Sequence, residues 1–145
     1  MNWTVSNLTE LSLIAREICR QFPGGAVVGL RGPLGAGKTT FVRAFVESLG
    51  YSDRVASPTF VLHQKYRFND RTIDHFDLYR VEKVTEQDLI EIGYFDALNE
   101  NRKLNGYCFV EWPERVDAAS LLELDVSLEL SLLADGTREF RMVLL

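Results

Sequence analysis

Cysteine and unbroken positive charge are both scarce in this sequence. Its two cysteines, Cys19 and Cys108, form no C-x-x-C pair and have no spacing suited to zinc, which excludes a disulfide framework and a zinc module. Both read as small core residues. The chain carries 16 basic and 21 acidic residues for a net charge of −5. No Lys or Arg run supplies the electrostatic footprint of a protein that holds nucleic acid unaided. No direct nucleic-acid patch is therefore expected, and any role with nucleic acid would run through other subunits. No apolar run approaches the ~20 residues needed to span a bilayer, and the N-terminus has no basic stretch leading into an apolar block. These absences predict a cytoplasmic protein without membrane contact. With 145 residues and 46% hydrophobic content, residues 1–145 are expected to form a single domain with one real core.

Hydrophobic spacing sets the expected elements. Leu11, Ile14, Ala15, Ile18 and Phe22 recur at intervals of three and four, predicting an amphipathic helix over 9–21 that Pro23-Gly24-Gly25 stops. AVVGLRG reads as a buried strand, and Phe41, Val42, Phe45, Val46 and Leu49 mark a second helix, with Gly50 at its left-handed cap. VLHQKYRF and RTIDHFDLY flank Asn69-Asp70, a two-residue turn signal, and predict an antiparallel hairpin. Thr85 and Asp88 resemble a capping box opening a helix with Leu89, Ile90 and Ile92; a helical piece over 95–101 and the buried strand YCFVEW follow. Two alternating apolar runs around ADGT close the chain on a second hairpin. The expected class is α/β, a P-loop NTPase-like three-layer domain with a mixed central sheet and two β-hairpins.

The chemistry-bearing signal is GPLGAGKTT, residues 32–40, which meets the pattern G-x-x-x-x-G-K-[ST] with Gly32, Gly37, Lys38 and Thr39. A turn that merely joined a strand to a helix would not require Lys and Thr directly after its glycine. Backbone N–H groups from Gly35, Ala36, Gly37 and Thr40, with the helix N-terminus behind them, suit phosphate oxygens. Lys38 is expected to neutralise the β and γ oxygens, and Thr39 to place its hydroxyl on Mg2+. Pro33 lacks an N–H and donates nothing.

Such a loop needs carboxylates at the ends of neighbouring buried strands. Asp77 closes TIDHFD and Glu111 closes YCFVE. Asp77 is expected in the Mg2+ shell and Glu111 at the attacking water, although the sequence alone allows the roles to be exchanged. Asp74, out of phase with Asp77 on a period-two strand, reads as a surface or hairpin charge. His75 shares the face of Asp77 and either orients a site group or serves a structural hydrogen bond; His63 carries no functional expectation. Thr59 after Pro58 is consistent with a switch threonine or with an ordinary loop residue, and Trp112 with a place near the nucleotide, a partner surface or the core.

Neither D-x-x-G nor N-K-x-D occurs, which disfavours GTP and points to ATP; no arginine-rich lid suggests a small-molecule kinase. The segments GPLGAGKTTFVRAF, SPTF, HFDLYR, EIGYFD and FVEWPE, in this order and at these separations, resemble the TsaE (YjeE) family of bacterial ATPases required for threonylcarbamoyladenosine modification of tRNA. The resemblance implies ATP and Mg2+ on Lys38 and Thr39, a switch or metal-shell role for Thr59 and Asp77, and a need for Glu111 in hydrolysis, with Trp112 close to the nucleotide. It also implies TsaD and TsaB as partners. Apart from the resemblance, a small domain with no evident arginine finger is expected to hydrolyse ATP slowly until a partner completes its site. Members of that family often have an acid where this chain has Pro33.

Overall fold

The computed structural model describes residues 1–51 and 62–145. Its centre is β2 (Ala26–Arg31), whose first five residues are buried. An apolar run of this kind needs cover on both faces. Parallel neighbours flank it, β5 (Tyr107–Glu111) on one side and β6 (Val126–Leu132) on the other. Beyond β5 lies β4 (Arg71–Asp77), parallel to it, then β3 (His63–Phe68), antiparallel to β4. Beyond β6 lies β7 (Arg138–Leu144), then β1 (Asn2–Val5), each antiparallel to its neighbour. The seven-stranded sheet thus has the order β1-β7-β6-β2-β5-β4-β3, the mixed sheet with two hairpins that the sequence predicts.

Alternation along the central strands divides the core into two layers. Val28, Leu30, Tyr107 and Phe109 meet helices α1 (Leu11–Gln21) and α2 (Lys38–Ser48) through Ile14, Ile18, Phe41 and Phe45. Val27, Cys108 and Val110 face the opposite layer, where Leu89 from α3 (Glu86–Glu91) and Tyr94 and Leu98 from α4 (Tyr94–Leu104) cover them. Cys108 is buried in this layer and Cys19 half-buried against the other, both as free thiols.

Local chemistry explains the element ends. Asn69 and Asp70 both take left-handed backbone, φ 46° and 61°, the pair of conformations a two-residue hairpin turn with matching twist requires. Thr85 and Asp88 form the reciprocal capping box. Helix α1 starts at Leu11 rather than residue 9, because Asn7 caps a short 3-10 turn over Leu8–Glu10, with the Glu10 N–H donating to its side chain at 3.2 Å. Helix α4 exceeds the predicted 95–101 at both ends. Strand β1 had no sequence signal; its four residues gain their structure from pairing with β7.

One expectation is corrected. Asp74 is not a surface or hairpin charge; it is fully buried. Being out of phase with Asp77 turns it to the α4 layer, where it accepts hydrogen bonds from Asn101 Nδ2 and is bonded to His63 Nε2, each at 2.5 Å. The polar partner on α4 makes burial tolerable.

Phe45 ties the first layer together, its ring 4.9 Å from Tyr107 and 4.8 Å from Phe109 in edge-on contacts. Phe45→Ala is expected to cost about 3–5 kcal/mol through lost burial and the cavity left behind. Urea unfolding, with the exposed Leu13→Ala as a near-neutral control, measures it.

Candidate functional site

Strands β2, β4 and β5 run parallel, so Arg31, Asp77 and Glu111 all lie at one end of the sheet, with Asp77 directly opposite Glu111 in the β4–β5 register. The loop from β2 to α2 crosses this end. Gly32 opens it with φ 153°, and a Cβ there would stand 2.6 Å from the Leu130 carbonyl oxygen, so no larger residue fits without a shift. Gly37 closes it in left-handed backbone, φ 105°, and gives α2 no side-chain cap. The N–H groups of the first helical turn are therefore not claimed by a capping side chain, and the positive end of the helix faces the cleft. This is an arrangement able to hold phosphate.

Lys38 is nearly buried. Its Nζ donates to the carbonyl oxygens of Gly32 at 2.5 Å and Pro33 at 3.0 Å, and lies 4.2 Å from the centre of the Trp112 ring. Burial pushes its pKa down, while Glu111, Glu114 and Asp77 pull in the opposite direction. It makes no ion pair with any other described residue, so its charge is compensated by dipoles, an aromatic face and carboxylates at longer range.

Thr39 Oγ1 donates to Glu111 Oε2 at 2.8 Å, and His75 Nε2 lies 2.5 Å from the same oxygen. Asp77 accepts from the Tyr79 N–H at 3.0 Å. Burial raises the Asp77 pKa, and the Glu111 carboxylate raises it further. Two carboxylates and a hydroxyl facing one cleft are hard oxygen donors. No cluster of three or more metal-ligating side chains occurs among the described residues, but Mg2+ commonly uses one or two carboxylates and completes its shell with water and phosphate oxygens. The donor set fits that ion.

The cleft, about 370 Å³, is lined by Gly35, Gly37, Lys38, Thr39, Thr40, Asp77, Glu111 and Trp112. The sequence-predicted residues are thus brought together, with two exceptions. Ala36 is buried beneath the loop and its N–H donates to the Pro33 carbonyl at 3.1 Å. Thr59, with the rest of SPTF, lies outside the described residues. Trp112 takes left-handed backbone, φ 61°, directly after Glu111, and its ring meets Tyr79 at 5.2 Å.

Tyr79, Arg80 and Arg138 also line the cleft, and sequence reasoning missed all three. Arg138 begins β7, and its Nη2 reaches the Gly35 carbonyl at 3.5 Å. It also borders an adjoining hollow of about 290 Å³ with Asn7, Leu8, Leu11, Gly37 and Thr40. No local motif marks Arg138, because only the fold-back of β7 on β6 carries it over the loop. Tyr79 and Arg80 do stand in the quoted string HFDLYR, and that string was the available signal.

The family described as "Threonylcarbamoyl adenosine biosynthesis protein TsaE" matches residues 5–140 of the chain. Relatives named "tRNA threonylcarbamoyladenosine biosynthesis protein TsaE" include one from Treponema pallidum, 40% identical over 115 residues, 79% of each chain. Another, from Bacillus subtilis, is 36% identical across 81% of this chain and 69% of its own length. A third, from Aquifex aeolicus, is 35% identical across 89% and 85%. Among solved structures, Bacillus subtilis YdiB superposes with a TM-score of 0.67 at 25% identity, covering 99% of this chain and 84% of that one.

The raised Asp77 pKa has a stability consequence. An acid whose folded pKa lies above its unfolded value binds its proton more tightly in the folded state, so folding loses stability as pH rises from the unfolded value through the folded one. Above that window the loss is complete; below about pH 4, near the ordinary carboxylate value, it disappears. Asp77→Asn, which keeps an acceptor for the Tyr79 N–H, is expected to raise the Tm at pH 7 by about 1–4 °C in metal-free buffer. The difference should shrink towards zero on acidification, as a pH series of thermal melts would record.

Proposed function

The chain belongs to the TsaE family of tRNA threonylcarbamoyladenosine biosynthesis proteins, and from that premise we propose that it is a P-loop ATPase that binds and hydrolyses ATP with Mg2+ in complex with TsaD and TsaB. The observation that carries this reading is the convergence of Lys38, Thr39, Asp77 and Glu111 on one cleft at the C-terminal ends of parallel strands. Loop N–H groups and the α2 N-terminus would receive the phosphates, and Lys38 would exchange carbonyl contacts for the β and γ oxygens. Thr39 and Asp77, with Glu111 adjacent, would hold Mg2+, which supplies charge neutralisation on the phosphate oxygens. The hollow bordered by Leu8, Leu11 and Arg138 offers room for the nucleoside.

In hydrolysis a water oxygen forms the new bond to the γ-phosphorus while the bond to the β–γ bridging oxygen breaks, giving ADP and inorganic phosphate. Glu111 orients that water and accepts its proton; the partners would complete the site and raise the rate. With a net charge of −5, the chain would leave tRNA contact to them. No helix among the described residues is long and apolar enough to cross a membrane, and the proposed place of action is the cytoplasm.

Two variants test the assignment. Lys38→Ala is expected to weaken ATP binding about tenfold or more by calorimetry, since it removes a charged phosphate contact. Glu111→Ala is expected to keep ATP affinity within about threefold yet lower phosphate release, with TsaD and TsaB present, by about 10²-fold or more. Full hydrolysis by Glu111→Ala would remove Glu111 from the reaction, and phosphate transfer to a metabolite instead of water would make the protein a kinase.

A further inference from the structure

The buried imidazole of His75 has no part in the scheme above. Its residue is fully buried in β4, opposite Phe109 of β5 and two pairs before Asp77 and Glu111. Alternation puts Ile73, His75 and Asp77 on the same face of the strand, towards the layer of Phe41, Phe45 and Phe109. Packing alone at such a place asks for an apolar side chain, because an imidazole brings polar atoms that cost free energy unless they are bonded. One ring nitrogen, Nδ1, has no hydrogen-bond partner among the described residues. The other, Nε2, lies 2.5 Å from Glu111 Oε2. The position therefore carries a polar group whose one hydrogen bond among the described residues goes to the proposed catalytic carboxylate.

An ionised carboxylate only accepts, so the nitrogen facing it carries the hydrogen. The Thr39 hydroxyl donates to the same oxygen, and none of the described residues donates to Oε1. Both donors thus select one carboxylate oxygen. They differ in stiffness: a hydroxyl rotates freely about its C–O bond, whereas the His75 ring is clamped between strands and core side chains.

We propose that His75 is a positioning residue for Glu111, its buried Nε2–H holding Oε2 so that the carboxylate keeps one orientation and Oε1 stays available to the attacking water. This rests on the reading of Glu111 as the residue that orients water in ATP hydrolysis. A group that acts in this way contributes to turnover more than to nucleotide binding, and only while Glu111 is present.

The test uses the full chain with TsaD and TsaB, and the variants His75→Phe and His75→Gln, alone and combined with Glu111→Ala. His75→Phe is expected to lower kcat about tenfold or more with KM for ATP within about threefold. His75→Gln, whose side-chain N–H stands close to where Nε2–H was, should recover most of the loss. In the Glu111→Ala background His75→Phe should change the residual kcat less than about twofold, because nothing is left to position. Wild-type kcat in His75→Phe, an equal loss in both backgrounds, or failure of Gln to recover would each overturn the proposal. A second readout needs no turnover. The chain has two histidines, so long-range 1H–15N spectra of 15N-histidine protein, assigned with His63→Gln, report the His75 ring directly. The Nε2–H tautomer is expected, with its 15N signals displaced in Glu111→Ala; unchanged signals would overturn the pairing whatever the kinetics. Absence of hydrolysis by the unmodified chain with both partners would overturn the ATPase reading and the kinetic role with it, while the spectra would still decide whether the pair exists.

Discussion

One carboxylate oxygen, Glu111 Oε2, joins three segments distant in sequence. It takes the hydroxyl of Thr39 from the first turn of α2 and the imidazole of His75 from β4, while its own residue closes β5. The loop after β2 cannot move relative to β4 and β5 without disturbing that junction. Glu111 is itself nearly buried, which strengthens each bond because the low local polarity that penalises an unpaired carboxylate also favours a paired one. The cleft geometry depends on this point of contact more than on any single apolar residue.

The surrounding charges oppose the stability of the protein by itself. Lys38 is buried without an ion pair among the described residues, and Asp77 stands across the strand register from Glu111 with its pKa pushed up by burial and by that neighbour. A cation without its anion and two acids without a cation between them describe a site built for what the proposed function brings to it. Strain of this kind is commonly found where binding must be strong, since the ligand relieves it. The left-handed Trp112 and the glycines at 32 and 37 belong to the same pattern.

Much of this was legible in the sequence, for a physical reason. The apolar spacing of α1 and α2, the Asn69-Asp70 turn and the capping box at Thr85 are local signals, and local forces decide them. The loop over residues 32–40 was legible because the proposed phosphate grip needs Gly, Lys and Thr each at a fixed offset. Asp77 and Glu111 could be chosen because each ends an apolar run, yet their side-by-side pairing needed the strand order. Arg138 and β1 were invisible for the converse reason: each owes its place to a contact with a segment far along the chain. Asp74 was misread because charge on a strand suggests solvent, and its partner Asn101 sits on a helix that no pattern in the strand reveals.

That misreading bears on how the site is kept in register. Parallel strands β4 and β5 are both buried along most of their length, and apolar packing tolerates sliding better than hydrogen bonding does. A slip of one residue would turn Asp77 and His75 away from Glu111 and towards α4. Asp74 opposes such a slip from the other face, because its bonds to Asn101 and His63 and the bond from Thr72 to Asn101 can form in one alignment only. Gly106 strengthens the restraint at the start of β5, where a Cβ would stand 2.1 Å from Asn101 Oδ1 and 2.3 Å from the Thr72 carbonyl oxygen. A leucine at Asp74 would bury as much surface without choosing among alignments. The polar network under β4 therefore fixes where the strand lies, and the strand in turn brings His75 and Asp77 to Glu111.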